Sequence, residues 1–362
     1  MTALVAQLVI ACHDPSRPLE RAVSSVLRDP GAHGRVGVIV VAHNTAADDL
    51  SARLAGIDGH IRVVSHDDGI RSAAGPFNRG LDLVEAEYCG VMGSDDFLEP
   101  GTMGRWLDHV EAERPDAAIA QIRLQGEAIM PNPLVRLGRR RRLDAARDRL
   151  FYRTAPLGLI RTERMRELGL RMVEGLRVGE DFSFGIQLWA RAGRVDLLSG
   201  LGCYVIGQDA RERTTYAPMT MSERLEPINR LFEDGVIEGL SPRYRASLAV
   251  KLIRVTVVGI AQSITATDVS DDEVEELADL LRRLLRASPQ ALRPFNRKDR
   301  RVLDGLMTSP TIARLREDVG ESQTAGRLER WLTPVIVHSF ARESTLRRYV
   351  LYYLTRERGR NE

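Results

Sequence analysis

Two short acidic stretches hold the side chains with which this chain could do chemistry. The first, Gly93-Ser94-Asp95-Asp96-Phe97-Leu98-Glu99-Pro100-Gly101, directly follows the apolar run Tyr88-Cys89-Gly90-Val91-Met92. The second, Gly179-Glu180-Asp181-Phe182, precedes a helical pattern from Ser183 to Ala192. Carboxylates at the end of a buried strand stand where α/β sheets bind ligands, outside the carboxyl ends of the strands. A hard divalent cation needs such oxygens to hold a diphosphate, and a second, separate carboxylate suits a general base. The pair predicts metal-assisted group transfer from a nucleotide-activated donor. Each stretch also has a structural reading. Asp95-Asp96 could cap the next turn, and Glu180-Asp181 could be the N-cap and first turn of a helix.

The elements that must position these residues follow from periodicity. Leu4 to Ala11, Val36 to Ala42, Ile61 to Ser65, Tyr88 to Met92 and Ala117 to Leu124 read as strands. Pro18 to Leu27, Ala73 to Ala86 and Thr102 to Glu113 read as helices between them. This alternation predicts a mostly parallel, Rossmann-like sheet with helices on both sides. From about Ser222 the strand signal stops. Ser270-Asp271-Asp272-Glu273 is a capping box opening a helix with Val274, Leu277, Ala278, Leu281, Leu284 and Leu285 on one stripe. The expected organisation is an α/β domain over 1–221 and an all-α domain over 222–362.

Composition narrows the function. The net charge is +2, which argues against a general nucleic-acid binder. Cys12, Cys89 and Cys203 are odd in number and form no zinc pattern. Met1 to Ala11 lacks a basic start and a cleavage site, and Leu248 to Ile264 is interrupted by Lys251 and Arg254. The expectation is a cytoplasmic protein that can touch the inner face of a membrane. Residues 135–153 carry eight arginines, including Arg139 to Arg142, Arg149 and Arg153. They fit a solvated face or a surface for an anionic acceptor or lipid headgroups. The last helix, Thr345 to Arg358, mixes Tyr349, Tyr352 and Tyr353 with Arg347, Arg348, Arg356 and Arg358. Docking on its own protein or a sister subunit is favoured there over membrane contact.

With the strands placed, the ordered motifs Leu8-Val9-Ile10-Ala11-Cys12-His13-Asp14, Val38-Ile39-Val40-Val41-Ala42-His43-Asn44-Thr45, Asn78-Arg79-Gly80-Leu81, Gly93-Ser94-Asp95-Asp96 and Gly179-Glu180-Asp181 resemble a family 2 glycosyltransferase of the GT-A fold, over about residues 4 to 210. The resemblance implies an inverting enzyme with a nucleotide-sugar donor, a UDP-sugar first, and a divalent cation, manganese or magnesium. It implies that Ala11, His13, Asp14, His43 and Asn44 hold the nucleobase, and that Ser94 and Asp95 also belong to the nucleotide-sugar site. Asp95 and Asp96 would be metal ligands. Asp181 would be the base, with Glu180 beside it raising its pKa or pairing with Arg177. The acceptor would be a hydroxyl of a cell-envelope polymer, a lipid-linked glycan or a secondary metabolite.

Several positions depart from the family's usual pattern. The second strand ends Ala42-His43-Asn44-Thr45 and lacks a carboxylate. Gly93 stands where an Asp is usual. Asp209 is the candidate for a missing metal-binding His, and Arg71 or Arg79 for a diphosphate contact. Two other readings stay open. A nucleotidyltransferase on a similar sheet is disfavoured because Cys12 to Pro18 holds no glycine. The other is a non-catalytic nucleotide-sugar-binding paralogue.

Overall fold

The computed structural model describes residues 3–209, 219–263 and 269–358, with side chains as far as 355. The chain divides into two compact units, 1–144 with 153–217 and 145–152 with 218–362.

The first unit is built on a seven-stranded sheet. Its strands are β1 (Ala6–Cys12), β2 (Val36–His43), β3 (His60–His66), β4 (Tyr88–Gly93), β6 (Ala117–Ile119), β9 (Gly158–Arg161) and β10 (Val195–Leu197), in the order β10-β6-β9-β4-β1-β2-β3. A smaller sheet holds β5 (Phe97–Leu98), β7 (Gln121–Leu124), β8 (Ile129–Met130) and β11 (Cys203–Ile206), in the order β5-β11-β7-β8. The helices of this unit are α1 (Leu19–Leu27), α2 (Ala47–Leu54), α3 (Ala74–Asp82), α4 (Thr102–Glu113), α5 (Thr162–Glu167) and α6 (Phe182–Arg191). β1, β2, β3 and β4 run parallel, and only β9 is antiparallel to its neighbours in the large sheet. β2 is buried along its whole length, because helices cover both faces. β3, at the edge, exposes His60, Arg62 and Ser65, the polar treatment that edge strands need.

The single strand expected over Ala117 to Leu124 is two, and the chain changes sheets at Ala120. The Ala120 N–H is given to the Leu157 carbonyl, and its carbonyl accepts from the Arg153 guanidinium at 3.0 Å. With its backbone groups engaged outside a ladder, Ala120 ends one strand and lets the next begin in the smaller sheet.

The Arg-rich stretch is not one solvated face. Arg139 to Arg142 are exposed, but Arg149 and Arg153 are both 2 % exposed. Arg149 pairs with Glu343 at 3.4 Å. Residues 145–152 therefore pack as part of the helical unit, where Arg254 donates to the Tyr152 hydroxyl at 2.7 Å.

The second unit is helical throughout its described residues, with α7 (Met221–Glu233), α8 (Pro242–Leu252), α9 (Val258–Ser263), α10 (Asp271–Ala287), α11 (Arg297–Thr308), α12 (Ile312–Thr324), α13 (Arg327–Trp331) and α14 (Thr345–Arg358). The capping box predicted at Ser270 is present: Ser270 Oγ accepts from the Glu273 N–H, and Glu273 Oε2 accepts from the Ser270 N–H. Val274, Leu277, Ala278, Leu281 and Leu284 are buried on the predicted stripe, whereas Leu285 is half-buried. The Pro242–Ser263 helix is long and apolar enough to cross a membrane by length and composition. It is 61 % buried in this structure, as the core helix of a bundle would be.

Candidate functional site

The sheet's parallel strands deliver their carboxyl ends to one edge, and the predicted residues that follow β1, β2 and β4 stand there. β4 ends at Gly93, and the chain turns at once through Ser94, Asp95 and Asp96 into β5. Two neighbours hold that turn. Arg17, on the loop leaving β1, pairs with Asp95 Oδ1 at 2.9 Å. Arg21, in α1, donates to the Asp95 carbonyl and grips Asp209 with both terminal nitrogens, at 2.5 and 2.8 Å. Asp95 and Asp209 are thus bridged by one guanidinium, although 114 positions apart in sequence. The same guanidinium lies 4.5 Å from the centre of the Phe97 ring.

Asp95 and Asp96 point to different environments. Asp96 is turned inward: the Tyr204 hydroxyl donates to its Oδ2 at 2.5 Å, and the Gly207 N–H to its Oδ1 at 2.9 Å. Burial, offset in part by the Tyr204 hydrogen bond, pushes the Asp96 carboxyl up to about 6. Its carboxylate therefore braces the turn against β11 rather than standing beside that of Asp95 as a second open ligand. Two glycines make this possible. A Cβ on Gly93 would lie 2.6 Å from Asp96 Oδ2, and one on Gly207 would lie 1.9 Å from the Asp95 carbonyl oxygen. Gly93 is thus the space that the inward carboxylate of Asp96 occupies.

At the ends of β1 and β2 the structure supplies a carboxylate that the sequence pattern lacked. His43 Nε2 lies 2.9 Å from Asp68 Oδ1, and His66 Nε2 lies 3.1 Å from Asp68 Oδ2. Asn44, held at φ 53°, accepts the N–H groups of Asp68 and Gly69 at 3.1 and 2.9 Å. Burial alone would raise the Asp68 carboxyl, but the Ile70 N–H and the His43 ring hold it well below the usual carboxylate range. Ala11 lies within β1. Asp14 closes its own turn, accepting both the N–H and the hydroxyl of Ser16 at 2.8 Å. His13 follows β1 directly, and burial, then the charge of Arg17, lower its proton affinity. Ser94 is fully buried.

Glu180 and Asp181 sit where the chain enters α6, with Asp181 at the N-cap position and its side chain not capping the helix. The segment is tied to α3. Buried Asn78 donates to the Met172 carbonyl and to Glu174, and accepts the Met172 N–H at 2.9 Å. The Val173 N–H in turn meets the Glu180 carbonyl. Burial, and then the charge of Asp181, push Glu180 up to about 7. The repulsion within the acidic pair thus registers on Glu180.

Arg71 and Arg79 are exposed, one on the loop after Asp68 and the other on α3. The arginines at the acidic turn are instead Arg17 and Arg21. Sequence reading missed these two and Asp68. Their signals were a Pro-Ser-Arg after β1 and an Asp-Asp-Gly after β3, neither conspicuous in an arginine-rich chain. A surface cavity of about 480 Å³ lined by Glu87, Arg114, Arg161 and Arg166 lies at the other end of the sheet, where β4 begins.

No group of three or more His, Cys, Asp or Glu side chains suited to a metal ion occurs among the described residues. A magnesium-type site needs fewer, since one or two carboxylates suffice when phosphates complete the shell. Asp95 fits that requirement, with Asp209 as the neighbouring oxygen donor.

Residues 7–169 match the model of Glycosyl transferase family 2. Among curated proteins, the succinoglycan biosynthesis protein ExoU of Rhizobium meliloti (strain 1021) is 26 % identical over 211 residues, covering 54 % of this chain and 60 % of ExoU. The succinoglycan biosynthesis protein ExoO of the same organism is 28 % identical over 207 residues, covering 51 % of this chain and 56 % of ExoO. The chain therefore spans less than two thirds of either relative. Among solved structures, S. aureus TarS 1-349 in complex with UDP-GlcNAc superposes with a TM-score of 0.73 at 15 % identity, covering 89 % of this chain and 92 % of that one. At that identity the likeness is one of fold.

Proposed function

Because the N-terminal unit of this chain belongs to glycosyl transferase family 2, we propose that it transfers a sugar, with inversion, from a nucleoside-diphosphate donor to a hydroxyl of a cell-envelope polymer. The observation that carries the reading is the acidic turn after β4, where the Asp95 carboxylate pairs with Arg17 and the Asp95 backbone carbonyl is joined through Arg21 to Asp209. A UDP-sugar is the favoured donor, since the TarS fold is known with UDP-GlcNAc. The two succinoglycan proteins favour a polysaccharide acceptor. We further propose that the reaction runs on the cytoplasmic side.

In this reading the ends of β1 and β2 receive the nucleoside. His13 and the His43–Asn44–Asp68 cluster present ring nitrogens, an amide and a carboxylate for its polar edges. Arg17 and Arg21 offer forked donors for phosphate oxygens, and Arg17 would move from Asp95 to the diphosphate as the donor binds. Asp95, with Asp209 nearby, would hold magnesium or manganese, which as a Lewis acid would neutralise charge on the departing diphosphate. Asp181 takes the proton from the acceptor hydroxyl. It belongs to a different part of the chain than Asp95, as attack on the face opposite the leaving group requires. Glu180, raised to about 7, keeps a proton near neutrality and so spares Asp181 a second full negative charge beside it.

The test is a panel of nucleotide sugars with manganese, read by release of the nucleoside diphosphate and by the mass of the product. Release that requires Asp95 and Asp181 supports the reading. Release of pyrophosphate from a nucleoside triphosphate would favour a nucleotidyltransferase, and binding of nucleotide sugar without turnover would favour a non-catalytic paralogue.

A further inference from the structure

The helical unit carries a surface that the proposed transfer does not use. Among the apolar residues that protrude there are Ile336, Val337 and Phe340 on one tight turn, and Tyr349 and Tyr353 on α14. Val337 is 70 % exposed and Phe340 65 %. Apolar side chains this open, gathered within a short stretch, mark a contact surface rather than scattered exposure. The two elements are physically joined. Arg347 Nη1 donates to the Phe340 carbonyl at 3.3 Å, and α14 is further tied to α13, where the Trp331 ring lies 4.2 Å from that of Tyr349.

The surface is also basic. Residues 330–356 contain five arginines and a single acidic residue, Glu343. Glu343 is already engaged within the unit, by Arg149 at 3.4 Å, Arg254 at 3.7 Å and Arg348 at 3.4 Å. Arg342 is further crowded by Arg243 and Arg147, whose charges, after burial, lower its proton affinity. Positive charge is thus concentrated beside the protruding apolar turn, and the one carboxylate of residues 330–356 is neutralised from inside.

We propose that this face, from Val335 to Leu354, docks on an anionic lipid bilayer, with Val337 and Phe340 entering the interfacial region and Arg342 and Arg347 meeting headgroup phosphates. Charge decides between this and a second copy of the chain. A two-fold contact sets the same patch against itself, so Arg342 and Arg347 would face their own copies, with Glu343 already engaged within the unit. An anionic bilayer supplies the missing negative charge and a medium for the apolar tips, and tyrosines favour the headgroup level. The inference does not depend on the transfer reaction, and its readout does not require activity.

The experiment is flotation of the full-length chain with vesicles of phosphatidylcholine alone or mixed with phosphatidylglycerol. The protein should float with the mixed vesicles and stay behind with phosphatidylcholine alone. Binding should fade as salt shortens the Debye length from about 30 Å toward about 10 Å. Removing Arg342 and Arg347 (R342A, R347A) should weaken binding about fivefold for each. Val337→Asp with Phe340→Asp should reduce it at least about tenfold with an unchanged circular dichroism spectrum, since both side chains are already in water. Three results would overturn the proposal: no flotation with phosphatidylglycerol at low salt, equal flotation with both vesicle types, or a wild-type dimer in light scattering that the V337D/F340D pair disperses while vesicles are ignored.

Discussion

Replacing Glu180 by glutamine should make the protein more stable at neutral and alkaline pH, though it alters a residue of the candidate site. Burial, then the charge of Asp181, raise this carboxyl to about 7 from an ordinary value of 4.5. A raised acid keeps its proton in the folded state after the unfolded chain has lost it. Between pH 4.5 and pH 7 the native state therefore binds more protons, and stability falls as pH rises through that window. Below it both states are protonated, above it neither is, and the penalty is constant. A shift of that size corresponds to on the order of 3 kcal/mol at pH 8. Glutamine has nearly the same shape and cannot ionise, so Glu180→Gln removes the penalty and leaves the packing intact.

The assay is urea unfolding at several values from pH 4 to pH 9. With Trp331 of the helical unit replaced by phenylalanine in every variant, tryptophan fluorescence reports on the N-terminal unit, where Trp106 and Trp189 are buried. The difference between variant and wild type should grow from pH 4.5, reach its plateau just above pH 7, and amount to a large fraction of 3 kcal/mol. In an Asp181→Asn background the plateau should be smaller and its upper edge should move to lower pH, because one of the two causes of the shift is gone. Curves that stay parallel over the whole range would refute the reasoning, since Glu180 would then titrate as an ordinary surface carboxylate.

Two further outcomes concern the reaction itself. Asp181→Asn should abolish transfer, by about 10²–10⁴ in rate, while nucleotide affinity measured by calorimetry stays the same; lost affinity with an intact rate at saturating donor would reassign the residue. Asp95→Ala should bind a nucleoside diphosphate as weakly as the wild type does with chelator present, and adding manganese should not restore it; equal wild-type affinity with and without metal would sink the assignment.

Local periodicity revealed the elements whose burial is uniform. β1, β2 and β4 read as apolar runs because helices cover both faces of the sheet, and α10 announced itself through a capping box and a stripe. β9 escaped notice because Gly158-Leu159-Ile160-Arg161 is only four residues long and runs against its neighbours. The Arg-rich stretch misled for a related reason. Nothing local marks Arg149 as the buried partner of Glu343, a residue far along the chain. The same holds at the site. Asp95 was legible from the strand before it, but Arg17 and Arg21 acquire meaning only when the end of β1 is set beside the end of β4. Asp68 does so only when the loop after β3 folds back on His43.

Gly93 shows how far such long-range partners change a local reading, and it yields a test. In sequence it is a lost carboxylate, and Gly93→Asp would be a repair. In the structure the place of its Cβ is taken: Asp96 Oδ2 lies 2.6 Å away and Asp95 Oδ1 3.3 Å. An aspartate there must push the Asp96 carboxylate from the Tyr204 hydroxyl and the Gly207 N–H, or leave three carboxylates crowded in one turn. Overpacking and the loss of a buried hydrogen bond each cost about 1–3 kcal/mol, and the added like charge acts in the same direction. Gly93→Asp should therefore lower the unfolding midpoint of the N-terminal unit and weaken nucleotide binding. Combining it with Asp96→Gly, which vacates the space, should recover much of both. A single Gly93→Asp variant with unchanged stability and tighter manganese-dependent nucleotide binding would mean that the inward position of Asp96 is not what keeps glycine at this site.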